Sequence, residues 1–199
     1  MADVGDAVTA IRAGRLAIVP TDTVYGIASS PAAEAVEALY RAKGRERRQP
    51  TALVAADLDR LVELLPELPA RALAIARALL PGSYSLILPN PAERFPWLAG
   101  ERRDAIGVRV PALTGPGREL LERVGTLVAT SANLPGGPDP HTVADVPEQL
   151  LAAVAAVVDA GELPGTPSTV VDVTGDEPLV LREGAVPADV ALRAIGSVL

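Results

Sequence analysis

The stretch Leu16-Ala17-Ile18-Val19-Pro20-Thr21-Asp22-Thr23-Val24-Tyr25-Gly26 decides the fold of this chain. Its first four residues form an apolar run that is typical of a buried strand. Segment 20–26 then supplies hydroxyls, a carboxylate and a turn glycine. Open α/β sheets bind their ligands where such strands end, so this segment is a candidate binding site. The alternative is an ordinary strand end with turn residues.

Strand and helix patterns alternate along the rest of the chain. The last two strands leave little room between them for a helix, so we expect them to pair as a hairpin. This order predicts an α/β fold, with helices flanking a mixed sheet, in a single domain of residues 1–199. The predicted helices span 3–13, 31–43, 57–65, 69–80, 116–124, 147–155 and a last segment from 187. The predicted strands span 15–19, 51–55, 84–88, 106–110, 126–130, 156–159, 168–173 and 178–182.

Composition narrows the class of protein. Of the 199 residues, 49% are hydrophobic and 3% aromatic, so few rings are available to stack on nucleic-acid bases. The formal net charge of -7 argues against non-specific binding to nucleic acids or anionic membranes. The absence of cysteine excludes disulfides, thiolate catalysis and cysteine-based zinc sites. With no secretion signal and no membrane-length apolar run, we expect a cytoplasmic protein that does not bind membranes.

Basic residues are concentrated in one segment. Residues 43–48, Lys-Gly-Arg-Glu-Arg-Arg, hold four of the 18 lysines and arginines. Between a helix and a strand, these cations could grip phosphates or carboxylates. The alternative is a solvated helix end, which also favours cations. Segment 130–133, Thr-Ser-Ala-Asn, follows another strand and offers either neutral hydrogen bonds to a ligand or a turn or helix cap.

Three further strand regions carry polar groups. Arg109 interrupts an apolar strand and must face solvent or be paired, because an unpaired buried charge is costly. The other two regions are segment 165–172, which carries hydroxyl groups, and segment 182–184, which begins with an arginine. None supplies a nucleophile with an adjacent base, and a hydrolase built on Ser131 and His141 is disfavoured because no nucleophile-elbow glycines surround the serine. Cations and hydroxyls without an evident base suit nucleotidyl transfer, in which positioning and charge neutralisation dominate.

The order of these motifs resembles the YrdC/TsaC family, the threonylcarbamoyl-AMP synthases. The resemblance extends over about residues 11–187, and the whole set of motifs is far more specific than any one of them. The matching segments are 20–26, 43–45, Pro81-Gly82, Val108-Arg109-Val110-Pro111, 130–133, 168–172 and 182–184.

The resemblance implies a YrdC-like fold, a twisted open mixed β-sheet flanked by helices around a large concave cavity. It implies an ATP-dependent nucleotidyltransferase that converts L-threonine, bicarbonate and ATP to threonylcarbamoyl-AMP and pyrophosphate, with Mg²⁺ bound through the ATP phosphates. It also implies a partner complex that transfers the threonylcarbamoyl group to tRNA. Because the chain ends soon after the matching core, it resembles the short form of the family.

The resemblance further assigns roles to residues that match its motifs. The expected catalytic residues, which would neutralise the carbamate and the triphosphate, are Lys43 and Arg45. The residues expected to bind threonine, with the arginine on its carboxylate, are Thr23, Arg109, Ala129, Ser131, Asn133 and Ser168. The residues expected to bind ATP are Arg45, Gln49, Ser131, Asn133 and Arg182. No residue is expected to bind a metal directly.

Departures from the family pattern leave two other functions open. At Glu46, Gln49 and Thr51 the chain differs from the usual residues, and Glu46 places a negative charge beside Arg45. A paralogue could bind a nucleotide, or RNA weakly, without this synthesis. A second relative would transfer a carbamoyl group from carbamoyl-AMP to another acceptor. We expect the Pro/Gly-rich segments 134–140 and 161–167 to be ordered or gating loops beside the site. The rim cations that would contact RNA are Arg47, Arg48, Arg102 and Arg103.

Overall fold

Strands and helices alternate through most of the chain, as the sequence predicts. The computed structural model describes residues 3–46 and 48–199. The helices are α1 Val4–Arg12, α2 Ala33–Lys43, α3 Leu58–Leu64, α4 Ala70–Leu79, α5 Gly115–Val124, α6 Glu148–Ala153 and α7 Ala188–Gly196, with a 3₁₀ turn at Val143–Asp145. The strands are β1 Ala17–Pro20, β2 Tyr25–Ser29, β3 Ala52–Ala55, β4 Tyr84–Pro89, β5 Ala105–Arg109, β6 Thr126–Ser131, β7 Ala156–Val157, β8 Thr169–Asp172 and β9 Leu179–Arg182.

Local chemistry sets several of the predicted helix ends. The carboxylate of Asp57 accepts a hydrogen bond from the Arg60 amide at 2.7 Å and caps the start of α3. Gly44 adopts a left-handed conformation, with φ of 63°, and ends α2. Lys43, the first of the predicted catalytic residues, therefore lies on the last turn of a helix.

One strand was not predicted from the sequence. After β1 the chain reverses within a few residues and returns as β2, which pairs antiparallel with β1. The Thr21 hydroxyl makes this reversal possible, because it accepts hydrogen bonds from the amides of Thr23 and Val24 and donates to the Val24 carbonyl at 2.7 Å. Segment 20–26, for which the sequence leaves both a binding site and an ordinary strand end open, thus contains the tip of a β-hairpin.

The strands form one open sheet that combines parallel and antiparallel pairs. Its order is β7-β1-β2-β6-β3-β5-β4-β8-β9, so β7 and β9 form its two edges. The pairs β1·β7, β3·β5 and β4·β8 are parallel, and the other neighbours are antiparallel. The predicted mixed α/β sheet and the late hairpin, β8 with β9, are confirmed.

The two faces of the sheet are covered unequally. On the back face, α2, α3, α4, α6 and α7 pack on strand residues such as Ile27, Leu53 and Val108. On the front face, α1 and α5 pack on the half formed by β7, β1, β2, β6 and β3, where Val19 and Val54 are buried. No described helix packs on the other front half, over β5, β4, β8 and β9. No helix among the described residues is long and apolar enough to cross a membrane.

Candidate anion-binding site

A cavity of about 470 Å³ lies over the uncovered front half of the sheet. Residues on β4 and β5 alternate in direction, so every second side chain reaches the cavity while its neighbours enter the back core. The wall is completed by segments around residues 45–52, 99–102 and 167–168, together with the end of β6. The residues of the floor are Ala52, Ser85, Ile87, Gly107, Arg109 and Val170.

Positive charge predominates in the cavity lining. Among the described residues, five arginines line it but only two carboxylates, although the whole chain carries a formal net charge of -7. Cations gathered in a partly enclosed cleft attract anionic ligands. The arginines are Arg45, Arg48, Arg102, Arg109 and Arg182, and the carboxylates belong to Glu101 and Asp139.

Lys43 is buried beside the cavity, with only 5% of its surface exposed. Its Nζ donates hydrogen bonds to the Ser131 carbonyl at 2.5 Å and to Asn133 Oδ1 at 3.2 Å. Ser131 Oγ also donates to Asn133 Oδ1, at 2.7 Å, so these three residues form one network. Burial lowers the pKa of Lys43 from 10.5 to about 8; the charge of Arg45 adds to this effect and that of Asp139 opposes it.

Arg45 reaches the cavity wall from the loop after α2. Its Nη1 donates to Thr130 Oγ1 at 2.8 Å, and its Nη2 donates to the Pro50 carbonyl at 2.6 Å. Its Nε is buried without a hydrogen-bond partner among the described residues. Burial lowers the pKa of Arg45. Since the oxygens that hold this guanidinium are neutral, its charge is left for a ligand.

Arg109 projects from β5 and forms an ion pair with Asp22. Its Nη2 donates to Asp22 Oδ1 at 2.7 Å and more weakly to Thr23 Oγ1 at 3.4 Å. Burial lowers the pKa of Arg109, the nearby Asp22 carboxylate opposes that shift, and the charge of Arg182 adds to it. The arginine expected from the sequence to face solvent or be paired is therefore paired, and it still lines the cavity.

Ser168 and Arg182 lie together in the cavity lining. Ser168 Oγ lies 2.8 Å from Ser85 Oγ, and Arg182 Nη2 donates to the Ser168 carbonyl at 2.8 Å. Gly184 lies directly on the backbone of residues 167–168, where a Cβ would collide with the Pro167 carbonyl. A glycine is required there because it lets the strand end approach Ser168 closely.

The two Pro/Gly-rich loops lie beside the cavity and contact each other. Asp139 of one loop and Pro167 of the other line the cavity. The Leu163 amide donates to the His141 carbonyl at 2.9 Å, and the Gly165 amide donates to the Thr23 carbonyl at 2.8 Å. The Tyr25 amide donates to the Pro140 carbonyl at 3.0 Å, so both loops are hydrogen-bonded to segment 20–26.

Most of the predicted site residues converge on this cavity. Lys43 and Asn133 do not line it but adjoin it through Ser131. Gln49 is exposed and lies outside the lining, and its carbonyl accepts a hydrogen bond from the Tyr40 hydroxyl at 3.2 Å. The predicted site residues that line the cavity are Thr23, Arg45, Arg109, Ala129, Ser131, Ser168 and Arg182.

The charges around the predicted cluster differ in part from expectation. Glu46, expected beside Arg45, forms an ion pair with Arg48 on the exposed surface. Of the predicted rim cations, Arg48 and Arg102 line the cavity, Arg103 is exposed outside the lining, and Arg47 lies outside the described residues.

Sequence reasoning missed several residues of the cavity lining and the ion-pair partner of Arg109. Ser85 and Glu101 reach the cavity, as does Asp139 from a loop that was predicted only as a neighbour of the site. The alternation of the predicted strand 84–88 could have indicated Ser85. Asp22 was noted within its motif, but no local signal links it to Arg109.

The fold and the site define a class: an open α/β protein in which the half of the sheet that no described helix covers forms a cavity lined mainly by cations. Within this class the chain belongs to the Sua5–YciO–YrdC family, because the family model, described as "Telomere recombination", matches residues 9–184. The expected resemblance and the YrdC-like fold are confirmed by this match and by the solved structures below.

Several relatives cover nearly the whole chain. It is 38% identical over 192 residues to a Mycobacterium tuberculosis protein provisionally named threonylcarbamoyl-AMP synthase, covering 96% of this chain and 88% of the relative. It is 34% identical over 192 residues to the threonylcarbamoyl-AMP synthase of Pyrococcus abyssi, covering 94% of this chain but 56% of that protein.

Solved structures agree with these relatives. The crystal structure of P. abyssi Sua5 complexed with L-threonine matches with a TM-score of 0.88 and 32% identity, over 98% of this chain and 58% of that one. Escherichia coli YciO matches with a TM-score of 0.83 and 28% identity, over 95% of this chain and 92% of that one.

Proposed function

We propose that the chain is a threonylcarbamoyl-AMP synthase, which forms threonylcarbamoyl-AMP and pyrophosphate from L-threonine, bicarbonate and ATP. The observation that carries this proposal is the convergence of Arg45, Arg109 and Arg182 on one cavity that contains no nucleophile with an adjacent base among the described residues. Names and bound ligands of the relatives support it, since a P. abyssi homologue is named for this activity and has been crystallised with L-threonine.

The amino acid and the nucleotide would occupy different parts of the cavity. Arg109 would bind the threonine carboxylate, and Thr23 and Ser168 would hydrogen-bond the rest of the molecule, with Ala129 against it. Lys43 and Arg45 would neutralise the carbamate and the phosphates, and Arg182 would also contact the phosphates. Ser131 and Asn133 would contact both substrates, and Gln49 would contact ATP only after its exposed side chain turns inward.

The chemistry would proceed by two displacements. The threonine amine attacks the carbon of bicarbonate and, with loss of water, forms a carbamate. A carbamate oxygen then attacks the α-phosphorus of ATP; the new P–O bond forms as the bond to pyrophosphate breaks, and pyrophosphate leaves with the electron pair. The residues contribute orientation, which can supply several kcal/mol, and cations directed at the charge that develops on phosphorus.

Mg²⁺ would enter with the ATP phosphates. The described residues contain no cluster of three or more metal-ligating side chains, and the two lining carboxylates come from separate loops. This fits Mg²⁺, which keeps several waters and relies on substrate phosphates. We further propose that the product passes, in the cytoplasm, to a complex that modifies tRNA with the threonylcarbamoyl group, with at most weak RNA contacts through rim cations such as Arg102.

One assay tests the activity. The protein is mixed with ATP, Mg²⁺ and either bicarbonate or carbamoyl phosphate, with and without L-threonine, and pyrophosphate is measured. Threonine-dependent release supports the synthase. Release that needs carbamoyl phosphate and not threonine would instead identify a carbamoyl-AMP-dependent transferase. No turnover, combined with salt-sensitive retention of RNA, would identify a binding paralogue.

Two substitutions test the assignment of substrates within the cavity. Arg109→Ala should raise the KM for L-threonine at least about tenfold and leave the KM for ATP within about twofold, because a charge-assisted hydrogen bond contributes about 1.5–3 kcal/mol. Arg45→Ala should show the opposite selectivity. Arg94→Ala, which removes an arginine outside the cavity lining, is the control. An unchanged threonine KM in Arg109→Ala would remove Arg109 from the amino-acid site.

A further inference from the structure

The ion pair behind Arg109 separates a residue that lines the cavity from one that does not. Arg109 lines the cavity, whereas Asp22 is absent from the lining, and the side chains are 13% and 5% exposed. Asp22 therefore affects a ligand through Arg109 and not by direct contact.

Both oxygens of the Asp22 carboxylate are engaged. Oδ1 accepts the 2.7 Å hydrogen bond from Arg109 Nη2, and Oδ2 accepts a 2.9 Å hydrogen bond from Ser83 Oγ. Ser83 directly precedes β4, two residues before Ser85 of the cavity floor. Since one partner holds each oxygen, the plane of the carboxylate is fixed, and with it the Nη2 atom of the guanidinium.

This arrangement leaves one nitrogen of Arg109 for a ligand. Nη2 is occupied by Asp22 and approaches Thr23, and Nε is buried without a partner among the described residues. Nη1 makes no hydrogen bond to the described residues and is not among the buried unpartnered atoms. A carboxylate in the cavity would therefore meet Nη1 in a fixed orientation.

The hydrogen-bond partners of Arg109 also differ in charge from those of the other predicted cations. Lys43, Arg45 and Arg182 donate their hydrogen bonds to neutral oxygens, whereas Arg109 donates to a carboxylate. The Arg109–Asp22 pair itself carries no net charge, and Arg182 is the further cation whose charge acts on Arg109. A polyanion is therefore favoured at the first three cations, and a ligand that carries one carboxylate and one ammonium group is favoured at Arg109.

We propose that Asp22 and Ser83 are positioning residues of the amino-acid site: they orient Arg109 and cancel its charge so that it selects the carboxylate of a zwitterion over a simple anion. This inference rests on the proposed function and deepens it.

The test measures binding without catalysis. L-threonine, ATP and inorganic sulfate are titrated separately into the full chain by calorimetry, with sulfate also used to displace threonine. In Asp22→Asn, the ratio of the sulfate Kd to the threonine Kd should fall about tenfold, because the arginine charge becomes uncompensated. ATP binding should stay within about twofold. Glu67→Gln, which breaks the exposed ion pair with Arg94, is the matched control and should change none of these values.

Ser83→Ala keeps the test decisive if Asp22→Asn does not fold, because it leaves the ion pair intact. It should weaken L-threonine binding about threefold and leave ATP binding within about twofold, as expected for the loss of one hydrogen bond. An unchanged sulfate-to-threonine ratio in Asp22→Asn, or equal weakening of threonine and ATP binding in either variant, would overturn the inference. If the wild-type protein bound no L-threonine, the proposed function and this inference would fall together.

Discussion

The two halves of the front face share one sheet but differ in almost every other respect. In the covered half, α1 and α5 pack on aliphatic side chains such as Val19, Val54 and Leu127, and a gap of about 20 Å³ remains. In the bare half, the same face carries Ser85, Gly107 and arginines around a cavity of about 470 Å³. The pleat of the strands supplies a front-facing position in both halves, and the residue type at that position decides whether a helix or a ligand covers it.

This difference separates stability from function. Buried aliphatic area in the covered half stabilises the fold, at about 25 cal/mol per Å² removed from water. The bare half buries less aliphatic area. Its charged side chains are partly buried, which opposes folding unless the charges are paired. We therefore expect substitutions in the covered half to change the free energy of unfolding, and substitutions in the bare half to change substrate use.

The largest effect is expected for Ile11→Ala in the covered half. Ile11 of α1 is fully buried, and large-to-small core substitutions of this kind lower the free energy of unfolding by about 3 kcal/mol. Denaturant unfolding measures this loss, and pyrophosphate release at a temperature where the variant stays folded should give KM values within about twofold of wild type. A large change in either KM without a loss of stability would contradict the separation of the two halves.

Gly107→Val should act in the opposite way. A Cβ at Gly107, on the cavity floor, would meet Ala52 Cα at 3.7 Å, an ordinary contact, so the added side chain extends into the cavity. Valine is also favoured over glycine in strands. We expect threonine-dependent pyrophosphate release to fall about 30-fold, equivalent to about 2 kcal/mol, with no loss in the free energy of unfolding. Gly107→Ala is the graded control, and a fully active Gly107→Val variant would show that substrates do not reach this floor.

How much of this could be predicted depends on how local the determining interactions are. The ends of α2 and α3 were predictable because Gly44 and Asp57 act on adjacent backbone. Strand β2 was missed because a threonine hydroxyl closes its turn and its pairing partners lie on β1 and β6. The five residues of β2 are all buried, so they lack the polar–apolar alternation that would indicate a strand.

The site shows the same division. Arg109 was predictable because a charge inside an apolar strand requires an explanation, but its partner Asp22 lies 87 residues away and is joined to it only by the fold. Gln49 stands at a motif position without matching its usual residue, and it is exposed, because a position in the sequence does not determine side-chain direction. Motif order predicted which segments converge, and packing alone determines which atoms meet.

The smallest expected effect concerns the charge of Lys43, which is buried in the fold and adjoins the cavity. With a pKa of about 8, the ammonium loses its proton as pH rises through that value, and the cation proposed to neutralise the phosphates disappears. At one pH unit above that value, pyrophosphate release should be about tenfold lower than its plateau at lower pH. Lys43→Arg, whose guanidinium stays protonated, is the control and should abolish this alkaline decline whatever its absolute rate.

Deprotonation of Lys43 should also change the free energy of unfolding, which is expected to rise with pH while activity falls. The pKa of Lys43 is about 8 in the folded chain against 10.5 for an unperturbed lysine, so between these values the unfolded chain binds more protons. Folding is therefore favoured as pH rises through this window, while activity declines. Denaturant unfolding of wild type and Lys43→Met between these pH values measures the effect, since the methionine variant should lack the lysine-dependent rise. If activity and stability instead declined together in wild type, the loss of activity would reflect unfolding, and the assigned role of the Lys43 charge would be wrong.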